Sequence, residues 1–478
     1  MTNNPISHQS NLDRRLFALS LDPAEATSLY AQLLAALRQT VLESPGNGGL
    51  RMPPSRVFAA ELSVSRTTVQ AVYDQLVSEG YLVARQGSGT YVASEIFHLA
   101  KPPRRSLAQP PEVVAWRPFQ TGLPDPSLVP HQHWARHLER AWRRPAPDLL
   151  ARPDPLGWYP LRAAIAEHLA AWRQLSCDPQ QVVITSGAWE AFEIVFRGLL
   201  GQGATVAIED PCWPKTHELL AATGVRTHSV RIDDDGFDAA KIPPGANVAI
   251  VTPSRHYPTG KNLSLPRRLA LLDWAVRNDG TIIEDDYDSE FRYRGLPLPS
   301  FAGLNDLRHS IYLGSFSKLV NSGLRIGYMV LPKHLLGDAR EYLGRVGARA
   351  SLVPQPALAT FMESGEFAIH LRRMRRVYAR RQAHLIAELA PLVDLLDIRP
   401  DPAGMHLCLP LKPKLSRATA DRRIRSLAAR AGVDVGALSE HSFLPEKPQA
   451  LLLGYAAFDE EALSRAAASL IVVLRGLA

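Results

Sequence analysis

Apolar residues recur at helical spacing early in the chain: Leu29, Leu33, Leu37 and Val41 form one stripe of a helix over residues 28–42. A second helix is expected from about Ser55, a residue suited to cap an N-terminus after Pro53 and Pro54, running through Val57, Ala60 and Leu62. A third is expected from Ser65 to Leu76, with Ser63-Val64 as the tight turn between the two. Residues 80–85 and 90–92 then read as strands joined by Gln86-Gly87-Ser88-Gly89, a hairpin tip. The pattern predicts a winged helix-turn-helix, in which Ser65, Arg66, Thr67 and Thr68 lead a helix into the DNA major groove.

The pattern changes after residues 97–111, where Pro102, Pro103, Pro110 and Pro111 with Lys101, Arg104 and Arg105 carry no apolar periodicity and read as a linker. Beyond it, short β-branched runs at 182–185, 205–208, 248–252, 281–284, 311–314 and 327–331 alternate with helical stretches. That alternation predicts an α/β fold built on a large, mainly parallel sheet. From about 355, long amphipathic helices surround two further strands at 405–409 and 450–454, a smaller α+β part. The expected organisation is a DNA-binding domain over 1–92, a linker over 93–115 and a third region over 116–478. Within that region the large part spans about 150–350, and the small part takes 116–149 and 351–478.

Length and composition agree with several folded units: 478 residues, 46% hydrophobic and 21% charged, exclude a single small domain and wholesale disorder. Three scattered cysteines, Cys177, Cys212 and Cys408, give no disulfide framework, no zinc finger and no metal site. No apolar run is long enough to span a membrane, so a soluble, cytoplasmic protein is expected. The net charge of +7 suggests nucleic acid, but residues 1–92 hold seven arginines against seven acids and are neutral. A denser excess lies at 370–381, His-Leu-Arg-Arg-Met-Arg-Arg-Val-Tyr-Ala-Arg-Arg, on a helix with Leu371, Met374 and Tyr378 inward and the arginines outward. Charge runs of this kind are ordinarily solvated faces or subunit contacts; a secondary DNA-bending surface is the sharper reading.

Candidate chemistry sits at the strand ends. Ser315-Phe316-Ser317-Lys318 follows one strand, and Arg325 comes seven residues after Lys318. A lysine among hydroxyls with a nearby arginine suits a pyridoxal phosphate site, the serines and arginine binding a phosphate dianion. By itself the tetrapeptide is more commonly a solvated surface lysine; the neighbouring motifs raise the cofactor reading. Ile282-Ile283-Glu284-Asp285-Asp286-Tyr287 ends another strand in carboxylates and a phenol, suited to a ring nitrogen and a ring hydroxyl. Thr185-Ser186-Gly187-Ala188 turns a strand into a helix, where free amides welcome phosphate. Trp213 is a ring-stacking candidate or a core tryptophan. Thr252-Pro253-Ser254-Arg255-His256-Tyr257-Pro258-Thr259-Gly260 forms a sharp loop on the same sheet edge.

Two resemblances follow. Arg51-Met52-Pro53-Pro54-Ser55-Arg56, Ser63-Val64-Ser65-Arg66-Thr67-Thr68-Val69, Glu79-Gly80-Tyr81 and Gly87-Ser88-Gly89-Thr90-Tyr91-Val92 resemble the GntR-type DNA-binding domain. That likeness implies DNA contacts from Arg56, Arg66 and the wing near Gly87. The residues after the linker resemble fold-type I aminotransferases, most specifically in Glu284-Asp285-Asp286-Tyr287-Asp288-Ser289-Glu290-Phe291-Arg292, Pro258-Thr259-Gly260, Ser315-Phe316-Ser317-Lys318 and Gly323-Leu324-Arg325-Ile326-Gly327-Tyr328. Together, over roughly residues 28–470, the chain is similar to MocR/GabR-type regulators.

The resemblance implies Lys318 as the catalytic, Schiff-base lysine for pyridoxal phosphate, Asp285 as the pyridine-nitrogen partner and Tyr287 as a ring-hydroxyl partner. Phosphate would fall to Ser186, Gly187, Ala188, Ser315, Ser317 and Arg325, with Trp213 over the ring and His256 from the Pro-Thr-Gly loop. It further implies a head-to-tail, domain-swapped homodimer on double-stranded DNA that senses pyridoxal phosphate, alone or with an amino acid or amine effector. The departures are three. Ala188 and Trp189 replace a hydroxyl residue and a glutamine, Arg255-His256 replace His-Gln, and no arginine stands near residues 454–458, where aminotransferases bind the substrate carboxylate. Lys215 and Arg255 are the substitutes within the sequence. A regulator is therefore expected, the alternative being an active aminotransferase with an N-terminal appendage.

Overall fold

The computed structural model describes residues 12–43, 48–94, 116–151, 154–201 and 203–477. They fall into two compact units, Met1–Val114 and Ala115–Ala478. The proline-rich linker expected at 93–115 lies outside the described residues from 95 onward.

The first unit packs helices Leu29–Glu43, Ser55–Glu61 and Arg66–Ser78 against a hairpin of β1 (Leu82–Arg85) and β2 (Gly89–Val92). Leu33, Leu37 and Val41 of the first stripe are buried against Phe58, Val69, Val72 and Leu76. Ser65 caps the third helix, its Oγ accepting from the Thr68 amide at 3.0 Å, a bond that contributes about 1 kcal/mol. Ser55 is the first helical residue rather than the cap: extended Pro54 takes that position, and the helix starts without a side-chain cap. The Tyr73 hydroxyl donates to the Pro53 carbonyl at 2.9 Å, tying the third helix to the start of the second. In the wing, Leu82 pairs with Val92 and Arg85 with Gly89. Its tip needs Gly87 and Gly89, whose φ angles of +73° and +113° strain any other residue.

The second unit holds a seven-stranded sheet of β3 (Val182–Thr185), β4 (Thr205–Asp210), β5 (Arg226–Arg231), β6 (Val248–Val251), β7 (Thr281–Asp286), β8 (Ser310–Ser315) and β9 (Gly327–Val330). The order is β3-β9-β8-β7-β6-β4-β5, and only β9 runs against its neighbours. Side chains alternate between faces: Val183, Leu313 and Met329 join one core layer, while Ile184, Tyr312 and Tyr328 join the other. A three-stranded antiparallel sheet of β10 (His406–Pro410), β11 (Gly436–Ala437) and β12 (Ala450–Gly454) has β12 in the centre. Helix Glu366–Glu388 buries Leu371, Met374 and Tyr378. The expectation that its arginines all face outward fails at Arg381, which is buried, ion-paired to Asp125 at 2.7 Å and hydrogen-bonded to the Ala456 carbonyl. Among the described residues no helix is long and apolar enough to cross a membrane.

Candidate cofactor site and DNA-reading surface

The strand register gathers the expected cofactor residues onto one sheet edge. Thr185 and Ser315 both pair with Gly327, Gly314 with Asp286, and Glu284 with Val251. The turns carrying Ser186 to Ala188, Ser315 to Lys318, Tyr287 and the 252–260 loop therefore emerge side by side. Because β9 is antiparallel, its start meets the ends of its neighbours, so Arg325, two residues before it, joins them. A Cβ on Gly327 would stand 3.0 Å from Gly187 Cα and 3.1 Å from Gly314 O, so this convergence requires glycine.

Strand β7 separates its three carboxylates by alternation. Glu284 accepts from the Phe301 and Ala302 amides at 3.0 and 2.8 Å. Asp286 pairs with Arg173 at 2.8 Å and accepts from Tyr312 Oη at 2.6 Å. Both are consumed by the fold. Asp285 points to the opposite face, makes no hydrogen bond among the described residues, and burial beside Asp286 pushes its pKa up to about 7. A part-buried acid without a partner fits a protonated pyridine nitrogen. Lys318 is part-buried, and its Nζ donates to the carbonyl of Gly122. Burial lowers its pKa, with Asp288 opposing, and so favours the neutral, nucleophilic amine.

Arg325 is exposed, held at φ 50°, and makes no ion pair or hydrogen bond among the described residues. A guanidinium kept free on a left-handed backbone matches a phosphate partner. Ser315 Oγ accepts from the Ser317 amide at 3.2 Å beside it. The Ser186 amide is taken by Glu190 Oε2 at 2.6 Å, and the other Glu190 oxygen accepts from the Arg349 amide at 2.8 Å. The helix start thus offers phosphate the first-turn amides of Ala188 and Trp189. Trp213 is 43% exposed, which removes the core alternative, and its loop is anchored by the Cys212 amide on the His441 carbonyl at 2.9 Å. His256 is buried and neutral, burial pulling its pKa down to about 3, with Nδ1 on Thr259 Oγ1 at 2.8 Å.

Arg255 cannot serve a substrate carboxylate. Buried, it contacts Asp288 at 3.0 Å, Asp401 at 2.8 Å, the Tyr287 hydroxyl at 2.9 Å and the His406 carbonyl at 2.9 Å. The other substitute, Lys215, is exposed and paired with Glu218 at 2.7 Å. Several site residues carry no local sequence signal. Gly122 approaches Lys318 from 196 positions away, and Tyr257 packs edge-on against Tyr287 at 5.6 Å and lies 3.3 Å from His441 Nε2. The donor set, with an unpaired acid, a free guanidinium, a burial-lowered lysine and an exposed indole, fits pyridoxal phosphate.

In the first unit, Arg56, Arg66 and Gly87 are exposed, and the arginines make no ion pair among the described residues. The hydroxyls of Ser65, Thr67 and Thr68 bond among themselves at 2.7 Å and present a small polar cluster at the helix start.

The fold and site thus define a pyridoxal phosphate-type aminotransferase domain joined to a winged DNA reader. Residues 127–470 match the family "Aminotransferase class I and II" and residues 29–92 match "Bacterial regulatory proteins, gntR family". The chain is 35% identical over 463 residues to the "Probable rhizopine catabolism regulatory protein MocR" of Rhizobium meliloti, covering 92% of each. It is 32% identical over 450 residues to the "HTH-type pyridoxine biosynthesis transcriptional regulator PdxR" of Corynebacterium glutamicum, covering 93% of this chain and 96% of the relative. Among solved structures, LysN, the α-aminoadipate aminotransferase of Thermus thermophilus, in complex with N-(5'-phosphopyridoxyl)-L-leucine, superposes with a TM-score of 0.66. It is 25% identical, over 75% of this chain and 92% of its own. The chain belongs to the MocR-type helix-turn-helix transcriptional regulators, which unite a gntR module with an aminotransferase class I and II domain; it binds DNA, and its cofactor is pyridoxal phosphate.

Proposed function

We propose that pyridoxal phosphate is itself the signal: the cofactor site is a sensor, and its occupancy changes DNA binding by a homodimer. The observation that carries this reading is the engagement of buried Arg255 by Asp288 and Asp401, at 3.0 and 2.8 Å. That cation is not left for an amino acid carboxylate, and Lys215 lies exposed beside Glu218. The groups suited to pyridoxal phosphate, Asp285, Arg325 and Lys318, make no ion pair among the described residues. The name of the 32% identical relative, a regulator of pyridoxine biosynthesis, points the same way.

In this reading Lys318 holds the cofactor covalently, Asp285 carries the negative charge facing its ring nitrogen and Tyr287, steadied by Arg255, faces its ring hydroxyl. Arg325, Ser315, Ser317 and the amides of Ala188 and Trp189 would hold its phosphate, and Trp213 would cover its ring. When bound, pyridoxal phosphate would supply a carbonyl carbon that amines, including that of Lys318, can condense with, and a ring that withdraws electrons. Aminotransferase domains of this kind are built as two-fold dimers, and a two-fold protein matches paired DNA half-sites. Arg56, Arg66 and the wing at Gly87 contact DNA, with Ser65, Thr67 and Thr68 at the helix start.

Footprinting of DNA upstream of the protein's own gene, with and without pyridoxal phosphate and with candidate amines and amino acids, tests the reading. Protection that changes with pyridoxal phosphate alone supports it. Turnover of an amino donor and a keto acid at roughly 1 per second or faster, without specific protection, would establish the enzyme instead.

A further inference from the structure

The arginine-rich helix Glu366–Glu388 forms one wall of a groove of about 480 Å³, lined by Arg292, Tyr293, Gly295, Arg372, Arg375 and Arg376 among others, with no carboxylate in the lining. None of the four arginines makes an ion pair or side-chain hydrogen bond among the described residues, and Arg292 Nε is buried without a hydrogen-bond partner. Arg375 lies over the Trp172 ring at 4.5 Å, and burial together with the positive charge of Arg372 lowers its pKa. Four guanidinium groups have thus been brought together with no ion-pair partner among the described residues, against their mutual repulsion; the charge of Glu290 acts on Arg375, but Glu290 does not line the groove. Elsewhere on this helix the fold does supply partners: Arg380 meets Glu460 at 2.5 Å and Arg381 meets Asp125 at 2.7 Å.

We infer that this groove is a second DNA-contacting surface, which takes the sugar-phosphate backbone. Charge complementarity selects this occupant. Residues 1–92 are electrically neutral, with seven arginines and seven acids, so the whole net charge of +7 lies outside the winged reader. Sequence-independent affinity for DNA comes from neutralised phosphates; the reader offers exposed arginines such as Arg56 and Arg66 but no net excess, and most of the excess lies in the second unit. Arg372 and Arg376 stand four residues apart on a helix, a rise of about 6 Å. Neighbouring phosphates of one DNA strand, about 3.4 Å apart along the axis and further apart around it, lie within reach of both side chains.

The probe is a duplex of arbitrary sequence, about 60 base pairs long, titrated with the full-length protein at increasing salt. With two phosphate contacts at a slope of about 0.9 each, Arg372→Gln/Arg376→Gln lowers the slope of log affinity against log salt by about 1.8. Between 50 and 200 mM salt, wild-type binding therefore falls about 12-fold more than that of the variant. Arg345→Gln, an exposed change on another helix, leaves the slope unaltered. Retained visible absorbance of bound pyridoxal phosphate and an unchanged melting temperature verify the fold of each variant. A slope equal to wild type overturns the proposal. So does a change of slope accompanied by loss of self-association in sedimentation, which would make the groove a subunit contact. An unaltered slope with loss of thermal stabilisation by millimolar inorganic phosphate would assign the groove to a small anion and overturn it as well.

Discussion

Asparagine at position 285 should make the cofactor-free protein more stable and the cofactor-bound protein weaker. The Asp285 carboxyl has no hydrogen-bond partner among the described residues, and burial beside Asp286 raises its pKa from 3.8 to about 7. The folded state therefore holds this proton more tightly than the unfolded state. The penalty for folding around the charged group is absent below about pH 3.8, grows as pH rises and is complete above about 7. Three pKa units at about 1.36 kcal/mol each set a ceiling of about 4 kcal/mol. Asp285 is part-buried, so water screens the charge and about 2 kcal/mol remains. For a unit of this size that is a rise of about 3 °C in melting temperature at pH 8.5, and about half as much at pH 5.5. Unfolding is followed after removal of the cofactor with hydroxylamine and dialysis. In the loaded protein the same change removes a charge-assisted hydrogen bond of about 1.5–3 kcal/mol, weakening pyridoxal phosphate binding roughly 10- to 100-fold. A cofactor-free variant that melts lower than wild type at pH 8.5, or whose gain is the same at both pH values, would refute the reasoning.

Other perturbations separate the site from its support. Arg325→Gln is expected to weaken pyridoxal phosphate binding by about 1.5–3 kcal/mol, while leaving cofactor-free stability within about 0.5 kcal/mol because the side chain is exposed; titration of absorbance and a melting curve check the two halves. Arg255→Met strands Asp288 and Asp401 and should cost the second unit about 3–5 kcal/mol in urea unfolding. Ser65→Ala removes the hydroxyl that caps the third helix and should lower the stability of the first unit by about 1 kcal/mol, read from its own unfolding transition.

The parts of the fold legible in the sequence are those whose residues report on their own neighbours. Buried strands such as Val182–Thr185 and Val248–Val251 are continuous apolar runs, and the winged reader is spelled by helical stripes, turn glycines and a capping serine. Strand Arg226–Arg231 escaped because it lies at the sheet edge, where Arg-Thr-His-Ser-Val-Arg is solvated on most positions. The candidate cofactor residues stand in turns at strand ends, which a mainly parallel sheet brings together. What stayed hidden is the long-range pairing. Arg255 offers nothing locally to say that Asp401, 146 positions away, neutralises it, and Arg381 looks like its exposed neighbours until Asp125 is placed beside it. Glu190, which occupies the Ser186 amide, reads in sequence as an ordinary first-turn acid.

Coupling between the cofactor site and the DNA reader would show in the dissociation constant for an operator duplex, measured on cofactor-free protein across a titration of pyridoxal phosphate. Coupling of about 1–3 kcal/mol predicts a change of roughly 5- to 150-fold in DNA affinity, with the same factor appearing in pyridoxal phosphate affinity when DNA is saturating. Lys318→Ala should abolish the change. Equal DNA affinity with and without bound pyridoxal phosphate would mean that the site does not signal to the reader.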